Sequence, residues 1–400
     1  MSLLTLARKI VHKVLKNLKG GQVTLEEAGT RETLGERGTI LIHIHIHNPN
    51  FYLNVVKHGS IGAAESFMQG HWTTDNLTLL LRLFIRNQDI SQQIEGRLAS
   101  ISGVFRWFYH QLNRNSFKGS RRNIQKHYDL SNEFFELFLD KNMMYSSAIF
   151  SGESTSLDEA AQYKLDIICQ KLALNSGDNV IEIGTGWGGF ALHAAVNYGC
   201  NVVTTTISKQ QYEWAKKRIE EKKLTSKIKL IQKDYRQLEG MYDKLVSIEM
   251  IEAVGHQYYP VFFETCGRLL KPEGKMLIQA ITIQDQAFER AKHEIDFIKR
   301  YIFPGSCIPS TTALLNAMTK SSDMKLFHLE DIGFDYAKTL FLWKKRFLQQ
   351  KEKIYKLGFD EYFVRMWEYY FSYCEAGFAE GYLGDVHLHC VKPSARRMLE

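Results

Sequence analysis

The stretch 179–190 reads NVIEIGTGWGGF, a short apolar run that breaks into a glycine-rich turn and then into a helical pattern. A strand, a loop and a helix are implied. Gly184, Gly186, Gly188 and Gly189 stand where a Cβ would hinder a sharp turn or hold the backbone away from a ligand over the helix N-terminus. Gly184, Gly186 and Gly189 also satisfy G-x-G-x-x-G, so the loop alone suits either the pyrophosphate of a dinucleotide or S-adenosylmethionine.

The flanking chain has the alternation of a doubly wound sheet. Strands are expected at 179–184, 201–206, 227–231 and 243–249, and helices at 187–198, 208–222 and 258–270. After a KPEG turn, 275–283 reads as a further strand, and the residues from 285 to the end read as mostly helical, with dense aromatics that suit a core. This predicts an α/β fold with a Rossmann-like domain, whose ligands bind outside the carboxyl ends of the strands. Ahead of its first strand this domain has a segment long enough to supply a helical lid.

Toward the N-terminus, residues 1–90 read as a smaller α/β domain, 91–122 as a helical linker, and 123–400 as the catalytic domain. Residues 3–19 form a basic amphipathic pattern, with Leu3, Ala7, Ile10, Val14 and Leu18 on one stripe and Arg8, Lys9, Lys13 and Lys16 opposite. Such a helix can lie on a membrane or dock on its own domain. In 38–47 four isoleucines (Ile40, Ile42, Ile44, Ile46) alternate with His43, His45 and His47, the pattern of a half-buried strand. With no acid or cysteine nearby to complete a site, the histidines read as an exposed sheet face and no metal is expected. The stretch 59–77 reads as a helix between glycine-bearing turns, and the linker ends in KGSRR at 118–122, near Trp107 and Phe108.

Composition narrows the partners. A formal charge of +7 over 400 residues suits an anionic surface, and 44% apolar residues exclude a disordered chain. The six cysteines are scattered with no C-x-x-C pair, which fits a reducing cytosol rather than a disulfide scaffold or zinc knuckle. There is no apolar run of the roughly 18 residues that a membrane span needs and no signal-peptide core. The basic run KKRIEEKK at 216–223 alternates in sign at helical spacing, a solvated face rather than a nucleic-acid site.

Two features of the domain separate the cofactors. A dinucleotide site places an acid at the end of the second strand for the ribose hydroxyls, whereas this strand ends TTTIS at 204–208, followed by Gln211. Instead Glu182 precedes the loop, where an acid can orient the glycines and face the cationic amino-acid end of S-adenosylmethionine.

The segments HYDLSNEFFELFLDKNMMYSSAIF (127–150), VIEIGTGWGGF, IEMIEAVGHQYYP (248–260) and KPEGKMLIQAITI (271–283) resemble the cyclopropane-fatty-acyl-phospholipid synthases. The resemblance extends through YIFPGSCIPS, DIGFDY and GYLGDVHLHCVKP and, less sharply, to GSIGAAESFMQG in the N-terminal part. It implies a class I methyltransferase domain that transfers a methylene unit from S-adenosylmethionine to the cis double bond of an unsaturated phospholipid acyl chain. A related enzyme would give methyl- or methylene-branched chains, and a non-catalytic lipid-binding protein is the reading from another class.

By this resemblance Tyr145, Ser146, Gly184, Gly186, Thr206, Gln211 and Tyr235 line the cofactor site, with Asp234 close to the adenine; Glu182 and Gly188 join them from the loop itself. The family's proton acceptor, a bound bicarbonate, maps onto Ser147, Glu252, Gln279, the backbone of Ile281, and Tyr336. Ser147 stands where the family carries cysteine, and Gln279 where it carries histidine. The implied setting is the cytosolic face of a membrane, with the bilayer as partner, a homodimer as assembly, and no nucleic acid.

Overall fold

The computed structural model describes residues 2–88 and 130–395, so the expected linker, including Trp107, Phe108 and KGSRR, lies outside the described residues. The described residues form two compact units. One gathers the chain up to residue 88 with 294–302 and 340–382; the other holds 130–293, 303–339 and the chain from 383 onward.

In the first unit four strands, β1 (Gly21–Glu27), β2 (Thr30–Leu34), β3 (Ile40–Ile46) and β4 (Trp72–Thr74), pair in the order β2-β1-β3-β4. The four isoleucines of β3 are buried, as their alternation dictates, while His47 donates to or accepts from Thr73 Oγ1 at 2.7 Å. The helix Asn50–Met68 is bent at Gly59, whose φ of 57° and ψ of −134° break its course. That is the glycine-bearing turn expected at 59. The helix Leu3–Lys16 buries Ala7, Val11 and Leu15 and leaves Leu3, Leu6 and Ile10 exposed. The buried stripe is therefore rotated from the expected one, because Val11 and Leu15, one and two turns beyond Ala7, take the inner face.

Residues 340–382 pack into this same unit. The helix Glu361–Ala379 sets Tyr369 against Phe67 and Phe297, with ring centroids 5.8 and 4.8 Å apart. Glu380 takes Arg82 at 2.5 Å and Arg86 at 2.7 Å, and Lys344 meets Glu375 at 2.6 Å. Of the late aromatics expected in the core, Trp343, Phe347, Trp367 and Phe371 are fully buried, whereas Phe341 and Tyr362 are exposed.

The second unit is built on seven strands: β5 (Asn179–Ile183), β6 (Asn201–Thr205), β7 (Ile228–Ile231), β8 (Tyr242–Ile248), β9 (Leu270–Ile283), β10 (Lys325–Asp331) and β11 (Leu383–Val391). Their order is β10-β11-β9-β8-β5-β6-β7. Strands β5 to β9 are parallel, and β11 runs antiparallel between β9 and β10. Helices Leu157–Lys171 and Gly189–Asn197 pack on this sheet, burying Leu165, Ile168, Phe190 and Ala194 beside Val180, Val202 and Val246.

β10 and β11 correct the helical reading of the last hundred residues. β11 carries Val386, Leu388 and Cys390 on one face but Asp385, His387 and His389 on the other, and all six are buried. A strand with polar residues buried on one face lacks the apolar run that marks a central strand. β10 is an edge strand, exposed along most of its length, and has no apolar face to betray it.

The strand order reverses between β5 and β8, so the loops leaving these two strands border one crevice at the carboxyl ends. Their proximity is direct: a Cβ on Gly184 would come within 3.3 Å of Met250 Cγ.

Candidate active site

The loop after β5 is held from below. Gly184 and Thr185 both donate their N–H to the Thr205 carbonyl, at 3.1 and 2.9 Å, and Gly188 N–H donates to the Thr185 carbonyl. Gly184, Gly186 and Gly188 have φ of 102°, 52° and 87°, a left-handed backbone that side chains resist. At Gly186 a Cβ would meet nothing within 4 Å, so the loop presents bare backbone to open space at the start of the helix Gly189–Asn197. That is the cradle a nucleoside-type ligand requires.

Glu182 lies inside β5, nearly fully buried, and accepts from Thr204 Oγ1 at 2.6 Å; Thr204 in turn shares a 2.6 Å hydrogen bond with Thr185. It thus orients the loop through two threonines. Burial pushes its carboxyl up to about 8, so at neutral pH it is mostly protonated. Thr206 Oγ1 donates to Gln211 Oε1 at 2.9 Å and accepts from Ser208 N–H. Asp234 is clamped by Arg236 through Nε at 2.8 Å and Nη2 at 2.6 Å, fixing the turn Tyr235–Gln237. The neighbouring Tyr235 hydroxyl is buried without a partner, an orphan donor available to a ligand.

The segment 140–147 crosses over this loop. Asp140 accepts from the N–H groups of Asn142 and Met144, at 2.7 and 2.8 Å, and Arg218 donates to the carbonyls of Asn142 and Trp187. The approach is so close that a Cβ on Gly189 would come 2.3 Å from Met144 Sδ. Tyr145 is set among Phe135 and Phe303, with centroids 5.4 and 6.3 Å away, and Phe135 also meets Trp187 at 4.9 Å. Aromatic faces beside a cradle of this kind suit cationic groups.

A second cluster gathers where β8 and β9 end and the antiparallel β11 begins. Glu249 is half-buried and accepts from Ser147 N–H at 2.7 Å, Gln279 Nε2 at 2.8 Å and Tyr336 Oη at 2.7 Å. Gln279 Nε2 also donates to Asp385 Oδ2 at 2.8 Å. Glu252 accepts from Ile281 N–H at 2.5 Å through Oε1, while its Oε2 is buried with no partner. The buried Lys164 donates to Ser146 Oγ at 2.5 Å and acts electrostatically on Glu249 and Asp385. Three carboxyl groups with an ammonium thus share one largely buried site.

Their protonation follows from that crowding. Desolvation, with the charge of Glu249 added, pushes Glu252 up to about 8. Desolvation and the Glu249 charge likewise raise Asp385 well above the carboxylate range. Burial raises Glu249 too, opposed by Lys164, Tyr336 and Ser147. Lys164 is pushed down by burial and held up by the carboxylates. Three donors converge on the Glu249 oxygens and one side-chain donor reaches Asp385, so Glu249 is the carboxyl better furnished to carry charge. Glu249 also has a φ of 46°, which costs a residue with a side chain about 1–2 kcal/mol.

The structure therefore brings Ser147, Glu252, Gln279, Ile281 and Tyr336 together, and Tyr145, Ser146, Glu182, the glycines, Thr206, Gln211, Asp234 and Tyr235 around the loop. Three residues of the cluster escaped the sequence reading: Lys164, Glu249 and Asp385. Lys164 had a signal, since it interrupts the apolar stripe Leu157, Ala160, Ala161, Leu165, Ile168 of its helix. Glu249 and Glu252 form an E-x-x-E directly after β8.

The glycine cradle at the switch point and the strand order define the fold and site of an S-adenosylmethionine-dependent class I methyltransferase. The comparisons extend that assignment. Residues 115–388 match the model for the mycolic acid cyclopropane synthetase family, and the chain belongs to that family. It is similar to the tuberculostearic acid methyltransferase UfaA1 of Mycobacterium tuberculosis, 36% identical over 354 residues, covering 86% of this chain and 82% of the relative. It is also similar to the cyclopropane-fatty-acyl-phospholipid synthase of Escherichia coli, 34% identical over 354 residues, covering 87% of each. Among solved structures, the mycolic acid cyclopropane synthase CmaA1 complexed with SAH and CTAB has a TM-score of 0.64 at 30% identity, covering 68% of this chain and 98% of that one.

The residues around the loop fit S-adenosylmethionine: bare backbone at Gly186, an orphan hydroxyl at Tyr235, and aromatic faces at Tyr145 and Trp187. The residues assigned to bicarbonate do not fit an added anion in the same way, because the chain already engages them. Ser147 Oγ donates to the Ala148 carbonyl at 2.9 Å, Ile281 N–H serves Glu252, and Gln279 and Tyr336 donate to Glu249.

Proposed function

We propose that this enzyme adds a one-carbon unit to the cis double bond of an unsaturated phospholipid acyl chain and closes it to a cyclopropane. The observation that carries this reading is the cluster of half-buried Glu249 with buried Glu252 and Asp385 next to the methyl-donor cradle. S-adenosylmethionine, when bound, supplies an electrophilic methyl group. An alkene is a weak nucleophile and its methylation leaves a cation, so water must be kept out and a carboxylate must take a proton. Loop glycines 184, 186 and 188 with Tyr235 and the Tyr145–Ser146 pair bind and orient the donor; Phe135, Tyr145 and Trp187 exclude water.

A second reading has the same first step and a methylene- or methyl-branched product. The similarity to a tuberculostearic acid methyltransferase favours it. Ring and methylene products have equal mass, so proton NMR decides. Purified protein acting on dioleoyl phospholipid vesicles is expected to give far-upfield ring protons, and vinylidene protons instead would favour the branched product. Absence of S-adenosylhomocysteine release would exclude both.

The substrate's location calls for surface attachment. Among the described residues no helix is long and apolar enough to cross a membrane. Leu3, Leu6 and Ile10 are exposed beside Lys9 and Lys13, which supports an interfacial helix. Each such lysine contributes about 1 kcal/mol near an anionic surface, a contribution that salt weakens.

A further inference from the structure

We propose that the enzyme carries its own base: the Glu249 carboxylate occupies the position of the anion that the family resemblance implies, and catalysis proceeds without bicarbonate. This rests on the methyl-transfer reading above.

Three of the groups assigned by resemblance to hold a bicarbonate converge on Glu249. They are the Ser147 residue through its N–H, Gln279 Nε2 and Tyr336 Oη, all within 2.8 Å of its oxygens. The remaining assigned groups, Glu252 and Ile281 N–H, bind each other. A free anion is trigonal with oxygens that need donors, and this cradle has spent its donors on an oxyanion that the chain supplies. The buried Lys164 gives that oxyanion a countercharge.

Two further observations agree. Glu249 holds a left-handed backbone conformation that glycine would adopt without strain, so its side chain is retained against a local penalty. Its carbonyl-side neighbour Met250 packs toward Gly184, which sets the carboxylate beside the donor cradle rather than in remote core. Burial and the charge of Glu249 raise the Asp385 carboxyl well above the carboxylate range, which leaves Glu249 as the carboxyl placed to take up the proton.

The step balances. One C–H bond of the newly attached methyl group breaks, its electron pair forms the second carbon–carbon bond at the cationic carbon, and the proton goes to the Glu249 carboxylate. That proton returns to solvent before the next turnover.

The test measures S-adenosylhomocysteine release from the full chain on vesicles of dioleoyl phosphatidylglycerol and phosphatidylethanolamine, in CO2-free buffer and with added bicarbonate. Wild-type turnover is expected to be the same in both. Glu249→Gln, which keeps the volume and loses the base, is expected to lose about 10²–10⁴-fold, the range for a general base, with S-adenosylmethionine binding retained by calorimetry. Glu249→Gly vacates the cradle, and added bicarbonate or formate is expected to restore part of its turnover. Wild-type turnover that requires bicarbonate would overturn the proposal and leave the methyltransferase reading standing. So would full activity in Glu249→Gln. A wild type silent in both buffers would contradict the methyl-transfer reading and the proposal with it.

Discussion

The glycine loop after β5 and the carboxyl cluster at the ends of β8 and β9 and the start of β11 border the same crevice but are built in opposite ways. The loop is contiguous in sequence and works through backbone: positive φ at three glycines, two N–H groups on one carbonyl, and open space where a Cβ would stand. The cluster is assembled from segments around residues 147, 164, 249, 279, 336 and 385 and works through side chains that, Glu249 apart, are buried. The loop binds by shape, whereas the cluster stores charge. A substitution in the first should alter affinity, and one in the second should alter stability and proton transfer.

The largest expected effect is at Lys164. Lys164→Met leaves the buried carboxyl groups without their ammonium and should lower unfolding stability by about 3–5 kcal/mol, as breaking a buried ion pair does. Denaturant titration measures it, and a loss below about 1 kcal/mol would mean that the cluster is already neutral. Smaller is Gly186→Ala. It strains a backbone with φ 52° by about 1–2 kcal/mol and sets a methyl group in the cradle, so S-adenosylmethionine affinity should fall about tenfold or more. Calorimetry with an unchanged affinity would show that the loop does not touch the donor.

The smallest effect is a pH slope. Glu182 has a folded pKa of about 8, raised by burial, so its favourable contribution is present below the ordinary carboxylate range and is lost as pH rises toward and through about 8. Glutamine keeps the acceptor for Thr204 and does not titrate. Glu182→Gln should therefore flatten the decline in stability between about pH 5 and 8, by up to about 1.4 kcal/mol per pH unit. Parallel stability curves for the two proteins would mean that Glu182 is not protonated in the fold.

The same contrast explains what could be read from the chain. The β5 loop, the strands from β5 to β9 and the acid-free end of β6 were legible because apolar runs and glycines sit next to one another in sequence. β11 was not, because burying Asp385, His387 and His389 on one face erases the apolar run that marks a central strand. Asp385 belongs to the cluster only through the pairing that sets Val386 opposite Ala280 and His387 opposite Gln279. Glu249 was visible as a residue within E-x-x-E, but its role depends on Ser147, Gln279 and Tyr336 converging on it from distant segments. Residues 340–382 read as a continuation of the catalytic domain because nothing in their amphipathic pattern says which core they enter; Glu380 with Arg82 and Arg86 shows their partner.

If the cluster removes a proton from the transferred carbon, an isotope measurement reads that loss directly. With S-adenosylmethionine trideuterated on its methyl group and dioleoyl phospholipid vesicles, mass spectrometry of the product chain should find two deuterium atoms on the added carbon, the third having passed to the enzyme and then to water. A product that retains all three would mean that no proton leaves the added carbon and that the cluster is not the base.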